Sequence, residues 1–363
     1  MGVYAFVLAG SNFFAPVICG FINEYAGYRW VFYIPSIFCG AAFLFLFFFM
    51  EETNYDRRTV GVVQRESSSP GAVDSPTITP EDGLNEKTAI TADSPDGGSL
   101  EGSASYQKKS YLQKLSFFDK ARKQRIPYRM WLSLRLISWP VVFYAGFSYG
   151  SYLIWFNVLN ATASVILGGA PYDFSSSMVG LSYVACLLGV IAASLYTGYL
   201  SDWMTLKLAR RNRGVFEPEQ RLWGFALPTI VIPASLLLWG VGAAHGVHWF
   251  GLIVAMLGTA FGNTCGITLS VTYLVDTYRD VSGDAMTTAI IIRNTMGFAI
   301  GYGITPWLDD LGTQNCFISA AFVGFAACSV FLLLVWKGKS LREANRMKYW
   351  ELIRKHIDMG MVH

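Results

Sequence analysis

Charge is scarce in this sequence: Asp, Glu, Lys and Arg make up 15% of its 363 residues, against 53% apolar. So few charges cannot solvate the surface of a soluble domain this long, and a mean hydropathy of +0.37 points the same way. The net charge is +3, and the charges gather between apolar runs instead of forming one basic face, which argues against nucleic-acid binding. Histidine is rarer still. His245, His248, His356 and His363 all fall outside the apolar runs, which leaves a membrane-embedded enzyme without a base or metal cluster, and no cofactor is expected. The six cysteines lack any CxxC or CxxH spacing and lie in or beside apolar runs, where free Cys packs as a small buried hydrophobe. No G-x4-G-K-[ST] occurs, so ATP-driven pumping would need another subunit. No basic segment precedes the first apolar stretch, so that stretch is not expected to be a secretory signal or an Arg-rich transit peptide.

What remains is apolar sequence in long blocks. A bilayer core of about 30 Å takes about 20 helical residues at about 1.5 Å each. Eight runs meet that length, near 2–22, 29–50, 138–160, 178–200, 222–244, 249–275, 285–307 and 316–336. Continuous runs of this kind are helices and not the short alternating strands of a barrel. The predicted fold is therefore an all-α polytopic membrane protein, a bundle of eight transmembrane helices in the lipid bilayer. An even count, with both chain ends on one side, excludes a seven-helix receptor.

Basic residues set the orientation. Thirteen Lys and Arg lie in 51–137, five follow the fourth run, and the tail beyond 337 adds six more, while the opposite connectors hold only Arg29. Lys and Arg stay on the cytoplasmic side, so both termini are expected there. The single N-x-[ST] sequon, Asn160-Ala161-Thr162, falls just after the third run and is a possible glycosylation acceptor on the outer face. Four domains follow: 1–50 with two helices, a cytoplasmic linker at 51–137, six helices in 138–337 and a cytoplasmic tail at 338–363. The linker is rich in Ser, Gly, Pro and Asp to about residue 110, a composition expected to stay disordered. Its segment 111–135 interleaves bases with aromatics, as suits an anionic membrane surface.

Three local motifs carry a resemblance. Gly2, Ser11, Ala15, Pro16, Cys19 and Gly20 follow the spacing G-x8-G-x3-G-P-x2-G-G, with Gly2, Pro16 and Gly20 matching and small residues at the other three positions. Small residues let helices approach closely, and Pro16 bends its helix. Gly198-Tyr199-Leu200-Ser201-Asp202, then Lys207, Arg210 and Arg211, looks like G-x-L-[AS]-D-[RK]-x-G-[RK]-[RK], with Trp203 and Thr205 departing from it. Tyr273 to Tyr278, then Ile292-Arg293-Asn294 and Pro306-Trp307, is the third. Together they resemble the major facilitator superfamily, in particular its fungal drug:proton antiporter branch with twelve spans. The resemblance makes 1–50 the last two helices of an N-terminal half and 138–337 a complete C-terminal half. The first four helices would then be missing, as in a truncated or fragmentary form.

That resemblance implies a secondary carrier working by alternating access, proton-coupled, with Asp202 holding a neighbouring helix end near the cytoplasmic gate. Arg293 sits at a depth where charge needs a partner, and Asp276 or Asp202 is the expected one. Polar residues at mid-membrane depth face an interior or a cavity, which makes Tyr144, Tyr149, Tyr152 and Asn157 on the third span, with Asn263, Thr264, Thr268 and Tyr273 on the sixth, candidates for a substrate path. Interhelical hydrogen bonding in a packed bundle explains the same residues. Tyrosine faces suit an organic cation, so drug-like and polyamine-like compounds lead the substrate classes, with protons as co-substrate and the plasma membrane ahead of the vacuole. The alternative is a non-transporting truncated protein that acts by interaction or is vestigial.

Overall fold

The computed structural model describes residues 2–50 and 126–358. The regular structure among these residues is helical, joined by short turns. The chain divides into two units, Met1–Phe38 with Gln124–His363, and Cys39–Lys123. Of the second unit the described part is the aromatic end of α2, where Phe45 and Phe49 stack one helical turn apart at 4.9 Å between centroids. The expected disordered linker, and residues 111–125 of the basic surface segment, lie outside the described residues.

α1 (Gly2–Ala26) and α2 (Tyr28–Phe49) are separated by Gly27, whose φ of +88° breaks the helix without the steric cost a side chain would bring. α3 (Ile126–Leu136) is short and ends just before Pro140, which opens α4 (Pro140–Gly168), because proline at the first helical position gives up an N–H that would be unpaired anyway. α4 is 29 residues long, about 43 Å at about 1.5 Å per residue, enough to cross a bilayer with some tilt. The helix therefore runs past the expected boundary at 160, and Asn160 lies on an exposed helical surface and not in a connector. This corrects the placement of the sequon.

The fourth run is a chain of pieces: α5 (Ser176–Ser182), α6 (Val184–Leu195), a π-helical turn at Tyr196–Leu200 and α7 (Ser201–Arg211). A 3-10 segment, Pro218–Phe225, leads into α8 (Ala226–Ala244), and α9 (Trp249–Thr277) follows, its start capped by the His248 ring accepting from the Phe250 N–H. The seventh run and the first part of the eighth fall in α10 (Ser282–Ser329), which is two helices that meet at Gly312, where φ is +71°. Without that break its 48 residues would reach about 72 Å, more than twice a bilayer core of about 30 Å. α11 (Phe331–Ala344) and α12 (Arg346–Asp358) complete the described residues, so the expected tail is helical to 358.

By length and composition six helical segments among the described residues can cross a membrane. One of them, Arg279–Ala344, contains both of the last two expected runs, and the expected first run forms α1. The protein is an all-α polytopic membrane protein. Its outward surface supports this: Leu188, Ile191, Ile230, Phe322 and Leu333 are exposed, as a bilayer would require and water would not favour.

The core forms where α10 packs on α4 and α8, and where α9 packs on α4, α6 and α8. Gly146 and Gly150 of α4 let α10 come close: a Cβ on Gly146 would lie 3.0 Å from the Ala289 backbone, and one on Gly150 2.7 Å from the Met296 sulfur. Trp239 is fully buried and donates from Nε1 to the Thr162 hydroxyl at 3.2 Å. Four cysteines, Cys186, Cys265, Cys316 and Cys328, are buried as expected, but Cys19 is half-buried and Cys39 is exposed. For Cys39 the reason is that α2 buries none of its residues.

α12 is amphipathic. It turns Tyr349, Leu352, Ile353 and His356 inward, and the Tyr349 hydroxyl donates to the Asp280 carboxylate at 2.7 Å. His356 is buried, with Asp284, Arg129 and Lys355 around it and the Tyr128 ring 6.1 Å away. Burial is the largest influence and holds its pKa below the ordinary histidine value, and Arg129 and Lys355 push the same way against Asp284. A base whose folded pKa is depressed contributes stability above its unfolded value, about 6.5, and loses it as pH falls. Hydrogen exchange of α12 amides is therefore expected to speed up on acidification below about pH 6.5 relative to α9, and His356→Leu should remove that pH dependence.

Candidate functional site

The motif residue Asp202 sits at the second position of α7, directly after the π-helical turn that holds Gly198. A π turn inside a helix rotates the residues after it, and such turns recur at functional positions. Here the rotation brings Asp202 to Arg221 in the 3-10 segment, with Nη1 to Oδ1 at 3.3 Å. The same guanidinium places Nε 3.1 Å from Oδ2 of Asp276, at the end of α9. One arginine thus joins two carboxylates carried by two different spans. The Arg221 and Asp276 side chains are 20% exposed and Asp202 is 55% exposed, so the Asp276 pair is the better shielded of the two.

Two further ion pairs fix the 3-10 segment that carries Arg221. Lys339 of α11 lies 2.8 Å from Glu217, and Arg342 lies 3.3 Å from Glu219, a buried carboxylate. Lys207 and Arg210 do not hold Asp202: Lys207 stacks over Trp203 at 4.8 Å, and Arg210 is exposed.

Arg293 lies about 16 Å along α10, counting eleven residues from Ser282 at about 1.5 Å each, near mid-membrane. Its partner is neither Asp276 nor Asp202, because Arg221 holds both. Instead its Nη1 donates to the Tyr149 hydroxyl at 2.6 Å, its guanidinium covers the Tyr149 ring at 4.8 Å, and Nε and Nη2 reach Asn294 at 3.0 and 2.8 Å. Among the described residues Arg293 forms no ion pair.

The candidate path residues separate into two groups. Tyr144, Tyr152, Asn263, Thr264 and Tyr273 are buried in the contact between α4, α8 and α9. Tyr152 shares a 3.1 Å hydrogen bond with Thr229, Tyr144 meets Tyr273 edge-on at 6.1 Å, and Thr264 donates to its own helix at Ala260. Thr268 likewise donates to the Thr264 carbonyl. Tyr149 and Asn157 form the other group, facing α10 beside Arg293 and Gly297. The first group packs the bundle; the second lies along α10 at Arg293 and Gly297.

At the opposite end of the fourth run a second clasp joins α1 to α5. Asn23 donates to the Ser176 hydroxyl at 3.0 Å, and the Ser177 N–H donates to the Glu24 carboxylate at 2.8 Å, giving the start of α5 an acidic cap. One turn away the motif residue Gly20 meets Gly180: a Cβ on Gly20 would lie 2.6 Å from the Ser176 carbonyl, and one on Gly180 2.8 Å from that of Pro16. Gly2 opens the same helix. The two clasps are 26 residues apart along one run, Ser176 to Asp202, or about 39 Å.

A model of the Major Facilitator Superfamily matches residues 1–217, well over half the chain. The chain belongs to that family. This membership accords with the Gly198–Asp202 motif, which lies inside the matched region. An uncharacterized MFS-type transporter of Schizosaccharomyces pombe is 26% identical over 99% of this chain and 65% of its own length. Protein HOL1 of Saccharomyces cerevisiae is also 26% identical, over 97% of this chain and 66% of its own length. Quinidine resistance protein 3 of the same yeast is 30% identical over 51% of this chain. The chain thus spans about two-thirds of the length of the first two relatives. No solved structure matches it.

Of the residues that matter here, Arg221, Gly180 and Glu24 were not candidates from sequence. A lone arginine two residues after Glu219, just before an apolar run, was the available signal for Arg221.

Proposed function

We propose that this protein carries a small organic solute across a membrane as a gradient-driven secondary carrier of the alternating-access type, with proton exchange as the coupled step. The observation that carries this reading is Arg221 bridging Asp202 and Asp276, a breakable ion-pair clasp about 39 Å from the hydrogen-bonded clasp between α1 and α5. Alternating access needs an opening at each end in turn, and helix ends held by a few charged contacts can part at one end while the other stays closed.

In this reading 1–50 is the end of one half, 51–137 the cytoplasmic linker, 138–337 the second half and 338–363 the tail. Both termini are cytoplasmic, supported by the basic connectors, and the membrane is the plasma membrane. The longer relatives support reading the chain as part of a larger two-half carrier. Tyr149, Asn157 and Arg293 face the solute, while Tyr144, Tyr152, Asn263, Thr264, Thr268 and Tyr273 shape the wall behind them. A drug-like or polyamine-like cation is the substrate class, supported by the tyrosine faces and by a relative named for quinidine resistance. Such a cation has to displace Arg293 from the Tyr149 ring or bind beside it.

The test is uptake or export of labelled organic cations, with and without a protonophore, in cells that express the gene's full product. Solute movement above the empty-vector level that collapses with the proton gradient is the expected result. Movement that survives the protonophore overturns the coupling, and none with any cation overturns the substrate class.

A further inference from the structure

A second binding feature lies away from the carrier path. α3 runs into Trp139 and the start of α4, so it sits at the level where a span enters the membrane. α12 lies against it, with Lys355 over the Tyr128 ring at 5.4 Å. Between them is a small open cleft that presents Arg135, Lys348 and Lys355 above a floor that includes Trp139 and Leu352. Glu351 is the one acidic lining residue, so the cleft carries three positive charges against one negative.

The bases are exposed but oriented. Arg135 stands over the Trp131 ring at 5.4 Å, as Lys355 does over Tyr128. None of the three forms an ion pair among the described residues. The same two helices expose large apolar side chains, Met130, Trp131 and Leu134 on α3 and Met347, Trp350 and Ile357 on α12. Apolar groups beside bases on short amphipathic helices are what an interfacial helix shows, its hydrophobic side chains in the acyl boundary and its cations among the headgroups.

We infer that this cleft binds the phosphate of an anionic glycerophospholipid, with Arg135, Lys348 and Lys355 on the phosphate and Trp139 and Leu352 against the start of the acyl chains. Glu351 accepts a hydrogen bond from a headgroup hydroxyl or ammonium. A free phosphate ester would use the same three bases but would leave the exposed apolar side chains without a partner, which favours the lipid. The site would anchor the tail helix to the linker helix at the membrane surface. It depends on the membrane placement of the chain and not on what the chain transports.

The experiment is native mass spectrometry of the purified full chain in detergent with phosphatidic acid, phosphatidylinositol, phosphatidylcholine or soluble glycerol 3-phosphate. The anionic lipids should bind more than about tenfold tighter than phosphatidylcholine, and each base replaced by glutamine should weaken them about fivefold, as expected for Lys or Arg at an anionic surface. The K348R/K355R variant should keep the affinity. Equal binding of phosphatidylcholine overturns the proposal, as does a R135Q/K348Q/K355Q variant with undiminished preference. Glycerol 3-phosphate binding as tightly as the lipids overturns the lipid assignment. If the triple variant does not fold, the single K355Q variant decides by the same fivefold criterion. Lipid retention is read without transport, so its failure is distinct from failure of the carrier reading.

Discussion

Replacing Arg221 with alanine is expected to cut solute transport at least about tenfold while the protein still reaches the membrane. An ion pair that water reaches, as at Asp202, is worth about 0–1 kcal/mol, the better shielded pair with Asp276 is worth more, and one side chain supplies both. Its loss leaves Asp202 and Asp276 facing each other, with Arg279 as the remaining positive charge near Asp276. The half-shielded Asp276 should bear more of the cost than the exposed Asp202. Asp202→Asn is therefore expected to be milder than Asp276→Asn. Arg221→Lys should recover only part, because an ammonium reaches one carboxylate where the guanidinium fork reaches two. Transport by all four variants, measured at matched surface expression, checks the order. Equal activity of wild type and Arg221→Ala would remove the clasp from the transport cycle.

Helix identity was legible in the sequence because bilayer length and apolar continuity leave little choice, and the runs at 249–275 and 222–244 return as α9 and α8 within a few residues. Breaks were harder. The π turn at Tyr196–Leu200 has no strong composition signal, yet it sets where Asp202 points. Gly312 merely falls between the runs 285–307 and 316–336, although it alone turns one 48-residue segment into two helices. Pairing was least legible. Arg293 looked in need of a carboxylate, and a tyrosine hydroxyl and ring met that need, because α4 and α10 touch along Gly146 and Gly150. Depth along a helix can be counted from sequence, whereas the azimuth that decides between Tyr149 and Asp276 depends on which helices are neighbours. The six cysteines show the same limit: four are buried, and the exception on α2 reflects what that helix faces and not its composition.

Gly180→Leu is expected to damage the protein far more than a change at Gly10, the glycine of α1 that lies away from this crossing. A Cβ at Gly180 meets the Pro16 and Val17 carbonyls at 2.8 and 3.3 Å and the Gly20 Cα at 3.2 Å, all backbone atoms that cannot rotate away. The helices must separate, at a cost on the order of 1–3 kcal/mol or more for an overpacked contact. Separation also lengthens the nearby hydrogen bonds from Asn23 to Ser176 and from Ser177 to Glu24, so packing and clasp fail together. Gly20→Leu should behave alike, since the two glycines face each other. Gly10→Ala on the same helix is the control: its nearest contact would be Leu187 Cδ2 at an ordinary 3.9 Å, and the change should stay within about 0.5 kcal/mol. Thermal unfolding in detergent reads the packing, and transport reads the clasp. A Gly180→Leu protein that both melts and transports like wild type would mean that α1 and α5 do not cross at these glycines. One that melts normally but fails to transport would show that the crossing must slide during the cycle, and that the small residues of the first motif serve motion more than stability.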